Sequence, residues 1–292
     1  MIPKELLQKV RRLEIRTRGP VNDIFSGEYH SVFKGRGIEF SEVREYEFGD
    51  DIRLIDWNVT ARYGSPFVKI FEEERELTVI LMVDVSRSEE FGSASLTKGE
   101  IVAELCALLA FSAIKNNDKV GAIIFSDRIE KFVPPRKGVQ HGLRVLRELL
   151  YLKPRSEGTD ISLALEYLIS MTLRKSVVFL ISDFISTHFE KALRVACKKH
   201  DLIAIKIFDP REMELPDVGY ITLADSETGE ELVVNSSDYS IRKLYREDSV
   251  KQRRELERLF RSINLDYIAI NTSESYIQPL YKFFRMRAKR FR

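Results

Sequence analysis

At 292 residues and 34.0 kDa the chain is long enough to bury one large core with an attachment, or two smaller cores. Its 47 Lys and Arg against 45 Asp and Glu leave a net charge of +2, with 44% hydrophobic and 32% charged residues. That balance excludes long disordered tracts and gives no global charge that demands nucleic acid or a membrane surface.

Two cysteines, Cys106 and Cys197, lie in apolar helical patterns without metal-ligand spacing, which suits free thiols in a reducing compartment better than a disulfide. The start, Met1-Ile2-Pro3-Lys4-Glu5, lacks a basic and then apolar leader pattern. The apolar helix 101–114 is interrupted by Glu104 and is too short to span a bilayer. A cytoplasmic protein without a transmembrane segment is expected.

Residues 3–16 predict a short amphipathic helix, with Leu6, Leu7, Val10 and Leu13 on one face and Arg11, Arg12, Arg16 and Arg18 on or near the other. From 27 to 76 the pattern changes to short strands and glycine turns. Gly49-Asp50-Asp51 marks a turn. The charges around it are expected to pair with one another in a structural meander, although clustered acids also suit a loosely specified cation site. Trp57, the only tryptophan, is expected to anchor this segment to the main body; buried so, its truncation to alanine would cost about 3–5 kcal/mol.

The run Leu77-Thr78-Val79-Ile80-Leu81-Met82-Val83-Asp84 reads as a strand buried on both faces, followed by Val85-Ser86-Arg87-Ser88. An Asp-x-Ser-x-Ser motif just past a strand offers a carboxylate and two hydroxyls, hard oxygen donors that suit Mg²⁺; a serine-rich helix cap uses the same residues. Beyond it the periodicity predicts a buried helix over 98–116, a buried strand over 120–125, and a short antiparallel edge strand over 129–133. A helix over 138–152 follows. Gly158-Thr159-Asp160 caps a helix over 161–173, and a buried strand over 176–181 ends in Ser182-Asp183-Phe184. A helix over 189–200 and a strand over 202–208 come next. The alternating segments 220–223 and 231–234 form an inserted hairpin at the surface, within an insertion at about 211–237. A helix over 241–263, a strand over 266–271 and a closing helix from Tyr276 complete the chain.

This pattern predicts an α/β fold with a doubly wound, mostly parallel six-stranded sheet in a Rossmann-like order, 3-2-1-4-5-6. An N-terminal helix and β-rich segment, residues 1–76, precede the domain of 77–292. Strands one and four are neighbours at the point where the order reverses, so Asp84 and Asp183 converge there, with Ser86, Ser88 and Thr159 beside them. That convergence favours a metal site over simple capping.

Asp84-x-Ser86-x-Ser88, Thr159 and Asp183 resemble the metal-ion-dependent adhesion site of von Willebrand factor A domains. The resemblance implies that Ser86 and Ser88 hold Mg²⁺ (or Mn²⁺) directly, that Thr159 joins them when ligand binds, and that Asp84 and Asp183 act mainly through waters. Gly35-Arg36-Gly37 with Phe40, Val43-Arg44-x-Tyr46 and the run from Gly49 to Trp57 resemble domain-of-unknown-function family 58, as do Thr60-Ala61-Arg62 and Asn117-Asp118-Lys119-Val120-Gly121. Pro134-Pro135-Arg136-Lys137-Gly138, Asp209-Pro210-Arg211-Glu212 and Leu215-Pro216-Asp217 extend that similarity over nearly the whole chain. The resemblance implies an adaptor of a MoxR-type AAA+ ATPase in maturation or assembly of client proteins. Here Arg87 precedes Ser88, and Glu89 and Glu90 follow it, where the family often carries a small residue and methionine.

The expected function is therefore a metal-ion-dependent protein-binding module, not an enzyme, whose Mg²⁺ captures a partner carboxylate. The alternative is a Mg²⁺-dependent phosphoesterase or nuclease using the same carboxylates. No Walker-type loop is present, and none of His30, His141, His188 and His200 has catalytic context. The basic tail from Arg285 to Arg292 suits a solvated helix end, so nucleic acid is not an expected partner.

Overall fold

A computed structural model describes residues 37–74, 77–86, 97–156, 158–172, 174–224 and 231–290, with backbone alone at 37–41, 71–74 and 224. The helix expected over 3–16, Gly35 and Arg36 of the Gly35-Arg36-Gly37 motif, and Arg87, Ser88, Glu89 and Glu90 lie outside the described residues. The chain divides into two compact units, one spanning Phe33–Leu77 and one running from Thr78 to the end.

In the smaller unit, β1 (Gly37–Glu45) pairs antiparallel with β2 (Phe67–Glu74), with a register shift between Phe40 and Glu42. Between them lie a 3-10 turn, Ile52–Leu54, and a short helix α1 (Trp57–Tyr63). The acids of this stretch are spent locally. Asp50 accepts from the Glu47 N–H at 2.8 Å and pairs with Arg44 at 2.7 Å. Asp51 caps the 3-10 turn, and Asp56 caps α1 through the N–H groups of Asn58 and Val59 while Lys69 stands 3.5 Å away. Gly49 at φ +113° makes the turn that only glycine adopts without strain. The paired-charge expectation therefore holds. The anchor expectation does not: Trp57 is 69% exposed, because its place in the first turn of α1 turns the indole outward. Its truncation then carries none of the cost of emptying a core.

In the larger unit, the six-stranded sheet runs β10-β7-β6-β3-β4-β5, which is the order 3-2-1-4-5-6 read from the other edge. Its strands are β3 (Thr78–Asp84), β4 (Lys119–Phe125), β5 (Ile129–Arg136), β6 (Val177–Ser182), β7 (Asp201–Phe208) and β10 (Asp266–Asn271). All pairings are parallel except β4 with β5. Val79 to Val83 are fully buried, each side chain contributing roughly 1.5–3 kcal/mol, and this explains the unbroken apolar run of the central strand.

Alternation along β3 sends Ile80 and Met82 to one face, where they join Ile161, Leu165 and Leu168 of α4 (Ile161–Met171), Ala192 and Leu193 of α5 (Glu190–Lys199) and Phe260 of α6 (Tyr239–Ser262). The opposite face is served by α2 (Lys98–Lys115), apolar nearly all round and therefore buried along most of its length, with α3 (Val139–Tyr151) beside it. A Cβ on Gly121 would lie 2.8 Å from the Val133 carbonyl, so glycine here lets β5 lie close against β4 where their register shifts. The hairpin β8 (Tyr220–Ala224) and β9 (Glu231–Asn235) forms its own two-stranded sheet. α7 (Ile277–Arg290) closes the chain as described. Among the described residues no helix is long and apolar enough to cross a membrane.

Candidate functional site

β3 ends at Asp84, and β6, its parallel neighbour, ends at Ser182 with Asp183 next. The order of the sheet reverses between these strands, so their carboxyl ends open the crevice where ligands of doubly wound folds bind. Both acids are only 1% exposed. The Asp84 carboxylate accepts from the Ser86 N–H at 3.0 Å through one oxygen and from the Ser182 hydroxyl at 2.8 Å through the other. Ser182 in turn accepts from the Phe184 N–H at 3.0 Å. Asp183 accepts from the Ile185 N–H at 3.1 Å through Oδ1, while Oδ2 faces the Lys98 ammonium at 3.3 Å.

Burial, aided by the nearby negative charge of Asp183, pushes the Asp84 carboxyl up to about 7 against the pull of its hydrogen bonds. Phe184 holds φ +57°, a left-handed conformation that costs a bulky residue about 1–3 kcal/mol. Its ring is kept there by burial against Phe189 and, edge-on at 5.3 Å, Phe260. The turn this makes hands the Ile185 N–H back to Asp183.

Thr159 precedes Asp160, the N-cap of α4. Its loop is fastened at both sides of β3: the Asp160 N–H reaches the Ser126 carbonyl beyond β4 at 2.9 Å, and the Ser186 hydroxyl reaches the Thr159 carbonyl beyond β6 at 3.4 Å. The loop therefore crosses above the end of β3. There the Thr159 hydroxyl is buried without a hydrogen-bond partner, a costly state for a polar atom.

Asp84, Ser86 and Asp183 thus sit together at the switch point, Thr159 lies in the loop over it, and Ser88 is outside the described residues. A partnerless buried hydroxyl and two neighbouring buried carboxylates fit a small, hard, oxygen-seeking cation. Among the described residues no group of three or more His, Cys, Asp and Glu forms a conventional cage, so such a cation would depend on hydroxyls and water.

Two lysines that the sequence reading did not single out lie near Asp183. Lys98, the first residue of α2, is fully buried between Asp183 and Glu212. Lys206 on β7 is paired in register with Ser182, and its burial lowers its pKa while Asp183 and Glu212 oppose that shift. Only the charge reversal at the start of an otherwise apolar helix could have signalled Lys98.

The strand order and its reversal between β3 and β6 make this a doubly wound α/β fold, von Willebrand factor A-like in its architecture. A family model described as "protein of unknown function DUF58" matches residues 42–255, and the chain belongs to that family. The uncharacterized protein Rv1480 of Mycobacterium tuberculosis is 30% identical over 290 residues, covering 98% of this chain and 90% of that protein. The uncharacterized protein YeaD of Bacillus subtilis is 32% identical over 110 residues, 37% of this chain and 25% of that protein. Among solved structures, BatB from Bacteroides thetaiotaomicron is similar with a TM-score of 0.48 and 18% identity, over 73% of this chain and 99% of that one. The SpRpn10 VWA domain has a TM-score of 0.41 and 12% identity, over 70% of this chain and 93% of that one.

Proposed function

We propose that the protein is a binding module in which a divalent cation, Mg²⁺ or Mn²⁺, held by Asp84, Ser86, Ser88, Thr159 and Asp183, captures a carboxylate of a protein partner. The observation that carries this reading is the buried, partnerless Thr159 hydroxyl in the loop above the Asp84–Asp183 pair. Neutral hydroxyls would leave most of the cation's charge uncancelled, and the cation would offer a position for an acidic group from outside. Asp84 and Asp183, already committed to Ser86, Ser182 and Ile185, are held rigid enough to orient water around it. The resemblance to family members encoded near MoxR-type AAA+ ATPases makes such an ATPase, or its client, the partner to test.

Ser86→Ala removes one hydroxyl and leaves the Asp84–Ser86 backbone hydrogen bond in place. Ser86 is buried and its hydroxyl also bonds Asp84, so the variant should melt in EDTA only about 2–4 °C below the parent, the effect of one lost hydrogen bond of about 1 kcal/mol. Mg²⁺-dependent co-purification of the AAA+ ATPase should be lost. Co-purification that is equal with EDTA and with Mg²⁺ would contradict the reading.

A further inference from the structure

We infer that Lys98 is a built-in counter-charge for this site, shared between Asp183 and Glu212, which sets how tightly the site takes a divalent cation. The inference rests on the cation-binding reading above and deepens it.

Lys98 has no exposure at all, and removing an ammonium from water is among the most expensive burials a chain makes. Its position explains the outlay. The residue opens α2 directly after the N-cap Thr97, whose hydroxyl and the Glu100 carboxylate form a reciprocal cap that fixes the helix start. From there the ammonium stands 3.3 Å from Asp183 Oδ2 and in direct contact with Glu212.

Glu212 is itself anchored. Its other oxygen accepts the Asp209 N–H at 3.1 Å, closing a capping box over the Pro210–Glu212 turn. Asp209, fully buried, accepts from the Thr272 hydroxyl at 2.8 Å. The Ser249 hydroxyl on α6 reaches the Glu212 carbonyl at 3.1 Å. Lys98 is therefore balanced between an acid of the site and an acid that the end of β7 holds in place.

A cation brought to Asp84 and Asp183 meets a like charge already resting on Asp183, so Lys98 opposes it. Glu212 draws part of that charge away, so Glu212 favours the cation. Two neighbouring substitutions should then move affinity in opposite directions. A merely structural ion pair has no reason to do this, since losing either member would disturb the site alike.

The test is Mn²⁺ titration followed by the electron paramagnetic resonance signal of free Mn²⁺, on parent, Lys98→Met and Glu212→Gln, with melting in EDTA alongside. Lys98→Met should bind Mn²⁺ about tenfold more tightly, and Glu212→Gln about threefold more weakly. Lys98→Met should also melt lower in EDTA and recover with Mn²⁺. Equal Mn²⁺ affinity in parent and Lys98→Met would overturn it while leaving the cation site standing. No binding in any of the three folded proteins would overturn both readings. Should Lys98→Met fail to fold, unchanged or tighter binding in Glu212→Gln overturns the inference.

Discussion

At the scale of single residues, His200 shows how far position governs chemistry. It is buried where α5 gives way to β7, with Nε2 3.1 Å from the Thr172 hydroxyl and Nδ1 accepting the Ser176 N–H at 3.3 Å. The Thr172 hydroxyl donates to the Leu168 carbonyl, so the ring is neutral with its proton on Nε2. Burial, then the charges of Lys199 and Lys175, pull its pKa down from 6.5 to about 4. Between those values the unfolded chain takes up a proton that the folded chain refuses. His200 therefore costs nothing above pH 6.5, and stability is lost as pH falls toward 4, by up to about 1.4 kcal/mol per pH unit. Urea unfolding at pH 7 and pH 5 should show a smaller fall for His200→Gln than for the parent. An equal fall in both would contradict the assignment. The sequence shows no catalytic context for His200 but supplies neither its burial nor its tautomer, which depends on a threonine 28 positions away.

At the scale of elements, the closing helix departs most from its sequence pattern. Four cations between Arg285 and Arg290 read as a solvated end. Instead, Arg287 is 4% exposed, paired with Asp266 at 2.9 Å and in close contact with Asp201. Those acids are the first residues of β10 and β7, so one guanidinium clamps α7 to the amino ends of two strands. Arg290 adds a contact to Asp266 at 3.1 Å. Arg287→Ala should destabilise the protein by about 3 kcal/mol, since it strands two carboxylates beside a core. Arg285→Ala, on the exposed face, should stay within about 0.5 kcal/mol. Similar losses from both would contradict the clamp. Hydrophobic spacing located this helix because Leu280, Phe283 and Phe284 repeat at helical period, but a buried arginine has no periodic signature.

For the whole molecule, the sheet was legible because its physics is repetitive. Buried parallel strands read as β-branched runs, crossovers are right-handed, and a tight Ser126-Asp127-Arg128 turn admits only an antiparallel partner. Those rules suffice to bring Asp84 beside Asp183 from 99 positions apart in numbering, about as far as the Ser182–Asp84 contact at separation 98. Side-chain reach is another matter. Whether Lys98 turns inward to Asp183, or Trp57 outward, depends on the first turn of a helix, where burial and exposure differ by a single rotation. Hence the convergence of the two acids was legible from the chain alone, whereas the lysine paired with one of them was not.

The central claim is that these side chains hold a divalent cation, and calorimetric titration of Mg²⁺ into the purified protein tests it most directly. One weak site should appear in the parent and vanish in Asp84→Ala and Asp183→Ala, each folded by circular dichroism. Binding that persists unchanged in both variants, or no binding in the parent, would contradict it.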